Sequence, residues 1–239
     1  MKTIVCTMFL FISCYTTTTQ KKSGIFVYRT TYYDSTSGKY ESNETKWPEA
    51  KVWYDGDYAI DEVKQLIIRQ DGNEPEKLSL RKVYHFVNLK RMSSNSYLNF
   101  SDTAISFLTT KIGERREGDV RTVLGKSTEL RSTEPPRPLK DTSIKGVTYS
   151  RQQYIFKWND TLTEIKTCYF RCDLPDFRFP FYKKASEEKG CPILISESEI
   201  SNRANDKQRS EIIFVSDHFS EQEKKIFEAW KRNDQQNNK

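Results

Sequence analysis

Lys51-Val52-Trp53-Tyr54-Asp55-Gly56-Asp57-Tyr58-Ala59-Ile60 is the stretch that decides the fold. Rings and β-branched residues stand on both sides of Asp55-Gly56, the dipeptide that supplies the positive φ angles a tight hairpin needs. The reading is two antiparallel strands and a turn. Working outward, Gly24 to Tyr33 reads as the first strand, Val63 to Arg69 continues or follows the hairpin, Asp71-Gly72-Asn73 turns again, and Leu80 to Leu89 alternates as a further strand. Tyr97 to Phe100 and Ala104 to Thr110 read as short strands, and Gly113, Gly118 and Gly125 punctuate a charged stretch whose pairing is not readable. Glu134-Pro135-Pro136-Arg137-Pro138 breaks the pattern, because proline cannot donate to a ladder; of a domain boundary and an exposed connection inside one sheet, the second is the favoured reading because strands resume at once. Strands resume at Ile144 to Trp158 and Leu162 to Arg171, with Asn159-Asp160 turning between them. Pro175 and Pro180 then bracket an irregular stretch, and Cys191 to Glu197 and Ser210 to Val215 give the last strands.

One helix is expected, over residues 220–233. Ser220-Glu221-Gln222-Glu223 is a capping box, in which the Ser hydroxyl and the Glu223 carboxylate reciprocally satisfy free N–H groups at a helix start. Ile226, Phe227 and Trp230 form its apolar side, and Lys224, Lys225, Lys231 and Arg232 complement the negative end of the helix dipole. The fold class is mainly β, antiparallel, with this C-terminal helix packed on the sheet.

The chain opens with Met1-Lys2, an apolar run from Thr3 to Ile12, then Ser13-Cys14 before a Thr-rich step into polar sequence. A run of about ten residues is too short to span a bilayer and suits the h-region of an export signal. Residues 1–20 are therefore expected to direct export to the periplasm, the outer membrane or the medium, and residues 21–239 to form one β-rich domain. Two processing routes stay open: lipidation at Cys14, where Phe11-Ile12-Ser13-Cys14 resembles a bacterial lipobox with Phe in place of Leu, and cleavage near Thr19-Gln20. Lipidation would attach the protein to a membrane by its anchor. No other stretch approaches the roughly 20 apolar residues that a spanning helix needs.

Hydrophobic residues make up 36% and charged residues 30% of the 239, and mean hydropathy is −0.78. Those values alone suit disorder, but 13% aromatic residues argue for a folded chain, since disordered segments lack the rings that offset chain entropy. A sheet wetted on one face fits both facts. The formal charge of +6 is spread among acids, as in Lys111 to Arg121, so there is no basic stripe for nucleic acid.

Chemistry-bearing residues are sparse. Of five cysteines, Cys6 leaves with the signal and Cys14 is the lipid candidate, which leaves Cys168, Cys172 and Cys191. Cys168 and Cys172 on one strand would stand about 13 Å apart, too far to share a metal ion or a disulfide. Cys191 is expected to bridge one of them at most, leaving one buried thiol and no metal site. His85, inside Val83-Tyr84-His85-Phe86, reads as a half-buried strand position, and His218 as a residue flanking the helix. Asp55 and Asp57 are turn residues rather than a glycosidase pair. No nucleophile elbow, zincin, P-loop or dinucleotide motif occurs, so no catalytic residue and no cofactor is expected. Sequons at Asn43, Asn99 and Asn159 are about as many as chance gives at this content of Asn, Ser and Thr.

Gly190-Cys191-Pro192-Ile193-Leu194-Ile195 resembles the hexapeptide Gly-Leu-Pro-Gly-Leu-Ile that names the GLPGLI family of secreted Bacteroidetes proteins, agreeing at Gly190, Pro192, Leu194 and Ile195. The strand Ile144 to Tyr149 and the pair Leu174-Pro175 precede it in the order the family shows. The resemblance implies a large curved antiparallel sheet, similar to the incomplete barrel of periplasmic lipoprotein carriers, with a helix on its concave side. The family carries no established catalytic residues. The expectation is an exported, non-enzymatic envelope protein whose sheet holds a lipid or acyl chain, with Val52, Tyr54, Tyr58 and Ile60 as wall candidates. A protein-interaction module of the envelope is the second reading and a secreted hydrolase the third.

Overall fold

The computed structural model describes residues 22–42, 49–69, 77–112, 130, 132–201 and 206–236. The expected signal with Cys14, the sequon at Asn43, the Asp71-Gly72-Asn73 turn, and Gly113, Gly118 and Gly125 lie outside these residues. The first half supplies β1 (Ser23–Asp34), β2 (Lys39–Ser42), β3 (Ala50–Asp55), β4 (Tyr58–Arg69), β5 (Lys77–Asn88), β6 (Ser93–Tyr97) and β7 (Leu108–Lys111). The second supplies β8 (Arg137–Ile144), β9 (Val147–Lys157), β10 (Thr163–Phe170), α1 (Lys183–Lys189), β11 (Ile193–Ile200), β12 (Lys207–Ser216) and α2 (Glu221–Gln236).

All twelve strands join one antiparallel sheet in the order β7-β6-β5-β4-β3-β1-β12-β11-β10-β9-β8, with β2 also beside β1. The sheet does not close. It is two meanders, β3 to β7 and β8 to β12, joined because β12 returns to pair with β1, Phe26 opposite Phe214 and Thr30 opposite Ser210.

The β3–β4 hairpin forms as expected, with its loop one residue further on. Asp55 pairs with Tyr58, so Gly56 and Asp57 are the central residues, and Gly56 takes the positive φ of 57°. Glycine at the first central position is what a two-residue loop with one positive φ requires. The stretch Ile144 to Trp158 is not one strand: Lys145 and Gly146, at φ 51° and 78°, fold it into the β8–β9 hairpin. A lysine in the first turn position, where Asn or Asp is usual, hid that turn. The strand near Tyr97 runs upstream over the polar Ser93–Tyr97 rather than on to Phe100, and only Leu108–Lys111 of the next segment is strand.

Strand alternation divides the core into two layers. On one face, Ile25, Trp53, Ile60, Tyr84, Phe86 and Tyr97 pack against Ile226, Phe227 and Trp230 of α2. Trp230 is fully buried, stacks on Tyr97 at 3.8 Å between ring centroids, and donates its indole N–H to the Ser101 carbonyl at 2.9 Å. The capping box is in place: Ser220 N–H donates to Glu223 Oε2 at 2.8 Å, and Glu223 N–H to Ser220 Oγ at 3.3 Å. The helix continues past 233 to Gln236, so its last turn holds no basic residue. Lys231 instead donates to Asp55 Oδ2 at 3.1 Å.

On the opposite face, Phe26, Val52, Tyr54 and Ala59 are covered by a strap, Leu174 to Tyr182, and by α1. Phe177, Phe179 and Phe181 of the strap turn inward; Phe177 lies 5.5 Å from Phe26 and 5.2 Å from Phe214, ring centroid to centroid. A disulfide between Cys172 and Cys191 closes the loop that carries both the strap and α1. β10 stops at Phe170, so Cys172 sits in the following turn and not on the strand with Cys168. The remaining thiol, Cys168, is buried, and burial pushes it up to about 12, an unreactive state.

Candidate functional site

The two meanders meet at an open cleft of about 340 Å³ on the strap side. Its walls come from separate parts of the chain: Asp57 in the β3–β4 turn, Leu89 and Lys90 after β5, Pro175 to Pro180 of the strap, α1, and Gly190 to Pro192. The volume lies at the lower end of the ~300–1,000 Å³ typical of ligand pockets.

Each wall is fixed by local chemistry. Leu89 N–H donates to the Asp57 carbonyl at 2.9 Å, which ties the end of β5 to the turn. Gly190 ends α1 at φ 69°, its N–H donating to the Glu187 carbonyl at 3.1 Å. A Cβ there would meet nothing within 4 Å, so the left-handed backbone, rather than crowding, is what calls for glycine. Ser186 stitches the next turn: its hydroxyl donates to the Phe181 carbonyl at 3.0 Å and accepts from Ile193 N–H at 3.1 Å. The Pro192 carbonyl accepts from Arg171 N–H at 2.9 Å.

The four motif residues therefore divide. Gly190 and Pro192 line the cleft, whereas Leu194 and Ile195, 1% and 4% exposed, are core positions on β11. The wall candidates divide as well. Val52 and Tyr54 lie under the strap, and Ile60 and Tyr58 lie under α2, where Tyr58 stacks on Phe86 with centroids 5.8 Å apart. The register explains this, since Tyr54 opposes Ala59 and Trp53 opposes Ile60, placing the 52/54 and 58/60 pairs on opposite faces. Burial pushes the Tyr54 phenol up, and its hydroxyl has no hydrogen-bond partner among the described residues.

The cleft carries charge at its rim. Lys90 Nζ lies 3.5 Å and Arg178 Nε 3.8 Å from the Asp57 carboxylate, and Lys183 Nζ lies 3.8 Å from Glu187. Sequence reading missed Arg178 and Lys90 because their elements join only in three dimensions. The bracketing prolines, Pro175 and Pro180, were the one available signal.

Two other polar groupings lie among the strands. Asp61, His85 and Ser96 stand side by side across β4, β5 and β6, with His85 Nδ1 2.9 Å from Ser96 Oγ. Ser96 is 1% exposed and lines neither of the two described clefts. His85 is buried rather than half-buried. A smaller cavity of about 90 Å³ holds Lys166 beside Ser196, Ser198 and Glu164. Burial pushes the Lys166 ammonium down, but Tyr182 and Glu164 outweigh it and hold it above the ordinary lysine range. With Cys172 and Cys191 joined, neither supplies a thiolate to a metal.

No protein-family model matches this chain, and no curated protein matches it. The likeness at Gly190 to Ile195 rests on the four agreeing residues.

Proposed function

We propose that this is an exported, non-catalytic binding protein of the cell envelope that takes a small ligand with an apolar part in the cleft beside Gly190 and Pro192. The carrying observation is a preformed pocket of about 340 Å³ in which Leu89, Pro175, Phe177, Pro180 and Pro192 line the wall among charged and polar side chains. Among the described residues the wall candidates Val52, Tyr54 and Ile60 are 0%, 2% and 0% exposed beneath the strap and α2, so the cleft is the better-supported place for a ligand. Export is supported by the apolar run from Thr3 to Ile12 and by the Cys172–Cys191 disulfide, a bond that persists in oxidising compartments. The four-residue likeness to the GLPGLI hexapeptide points the same way.

A second reading, an envelope protein-interaction module, is favoured by Ile105, Phe107 and Leu108, 88%, 53% and 44% exposed at the β7 margin of the sheet. Native mass spectrometry of protein purified gently from its own envelope separates them. A co-purified small molecule of about stoichiometric amount is the expected result. A protein partner that leaves on Ile105→Asp would transfer the proposal to the second reading.

A further inference from the structure

The ligand of this cleft has a definable charge. Three cations, Lys90, Arg178 and Lys183, stand at it against two carboxylates, Asp57 and Glu187, leaving one positive charge in excess. One carboxylate, Asp57, is shared by Lys90 and Arg178 at 3.5 and 3.8 Å, and Lys183 meets Glu187 at 3.8 Å. These separations are at or beyond the limit of a good hydrogen bond, so the attraction is between charges and the donors keep capacity for a ligand. Their side chains are 71%, 62% and 45% exposed, so a ligand can reach them without displacing packed atoms.

Arg178 is the best placed of the three. Its neighbours Phe177 and Phe179 are buried at 6% and 2%, and Pro175 and Pro180 bracket the segment, which holds its backbone while its guanidinium faces the cleft. The disulfide at Cys191 fixes the wall opposite. Apolar lining residues such as Leu89, Phe177 and Pro192 beside a planar, forked donor suit a carboxylate carried on a short apolar chain, because guanidinium pairs with carboxylate through two parallel N–H bonds.

Resting on the reading of this cleft as a binding site, we infer that it selects ligands with a carboxylate head and an apolar tail. The test is calorimetric titration of the disulfide-intact mature chain with octanoate, 1-octanol and octyltrimethylammonium, each below its aggregation limit. Octanoate is expected to bind about tenfold more tightly than octanol, the scale of one charge-assisted hydrogen-bonded contact. Arg178→Gln should erase that difference while leaving octanol binding and the thermal midpoint unchanged, since Arg178 is exposed. Added salt should narrow the difference. Equal binding of octanoate and octanol would overturn the charge selection and leave the binding site standing. Tighter binding of the ammonium would overturn it by sign. Binding of none of the three would overturn both the selection and the site.

Discussion

On one face of the sheet the cover is α2, a 16-residue helix that satisfies its own backbone and adds a polar lock at each end. On the other the cover is an irregular strap bracketed by Pro175 and Pro180 and closed by the Cys172–Cys191 disulfide. At the start of α2, Glu223 accepts hydrogen bonds from Trp53 Nε1 at 2.8 Å and Lys51 Nζ at 2.9 Å. Near its end, buried Asp234 accepts from Asn88 at 2.7 Å and Asn95 at 3.1 Å. The helix is thus held by packing and side-chain networks, the strap by inward phenylalanines and a covalent staple. Among the described residues the open cleft lies on the stapled side, where the chain makes irregular walls, while Ile226, Phe227 and Trp230 are buried under the helix.

The largest expected effect that sharpens this contrast is on the helix side. Trp230→Ala empties the centre of that layer and should cost about 3 to 5 kcal/mol, lowering the thermal midpoint by roughly 10 °C. A midpoint that does not move would make α2 a solvated appendage. Next is the staple. Cys172→Ser should cost about 3 kcal/mol, the value for closing a loop of similar length. Amide exchange should then rise at Phe177 to Phe181 while α2 keeps its protection. Equal loosening of both covers would show that they are one cooperative unit and erase the distinction.

The smallest effect is electrostatic. Burial pushes the Glu223 carboxyl up, but hydrogen bonds from Trp53, the Ser220 N–H and Lys51 outweigh burial and hold it at about 2, against an ordinary value of 4.5. A folded value below the unfolded one stabilises fully above the unfolded value and fades as pH falls toward the folded one. The contribution of Glu223 is therefore present above about pH 4.5 and lost between there and about pH 2. Glu223→Gln keeps an oxygen for the Ser220 N–H but removes the charge that faces Lys51, so it should cost about 1 kcal/mol at neutral pH and should flatten the acid limb of the stability profile. An unchanged acid limb would mean that other carboxylates set it.

Much of the regular structure was legible in the sequence because it is written locally. Trp53 and Tyr54 against Tyr58 and Ile60 across a glycine turn, and Ser220 with Glu223, act over a few residues. The cysteine outcome, one bridge to Cys191 and one buried thiol, followed from reach along a strand, although β10 ends before Cys172 and the premise about that residue did not hold. α1 was illegible because Lys183 to Lys189 carries only Ala185 and Ser186 as buried positions, too few for a helical stripe. The candidate site was illegible for a different reason. Its residues are separated by long stretches of chain and converge only through the β1–β12 pairing, and no local pattern encodes a register between distant strands.

The central claim is that ligand enters on the stapled side of the sheet. Amide and side-chain NMR shifts recorded while octanoate is titrated into the mature, oxidised protein test it directly. The predicted result is saturable shifts at Leu89, Lys90, Arg178, Lys183 and Gly190, with Trp53, Ile60 and Trp230 unmoved. Saturable shifts confined to Trp53, Ile60 and Trp230 would place the ligand under the helix and contradict the account.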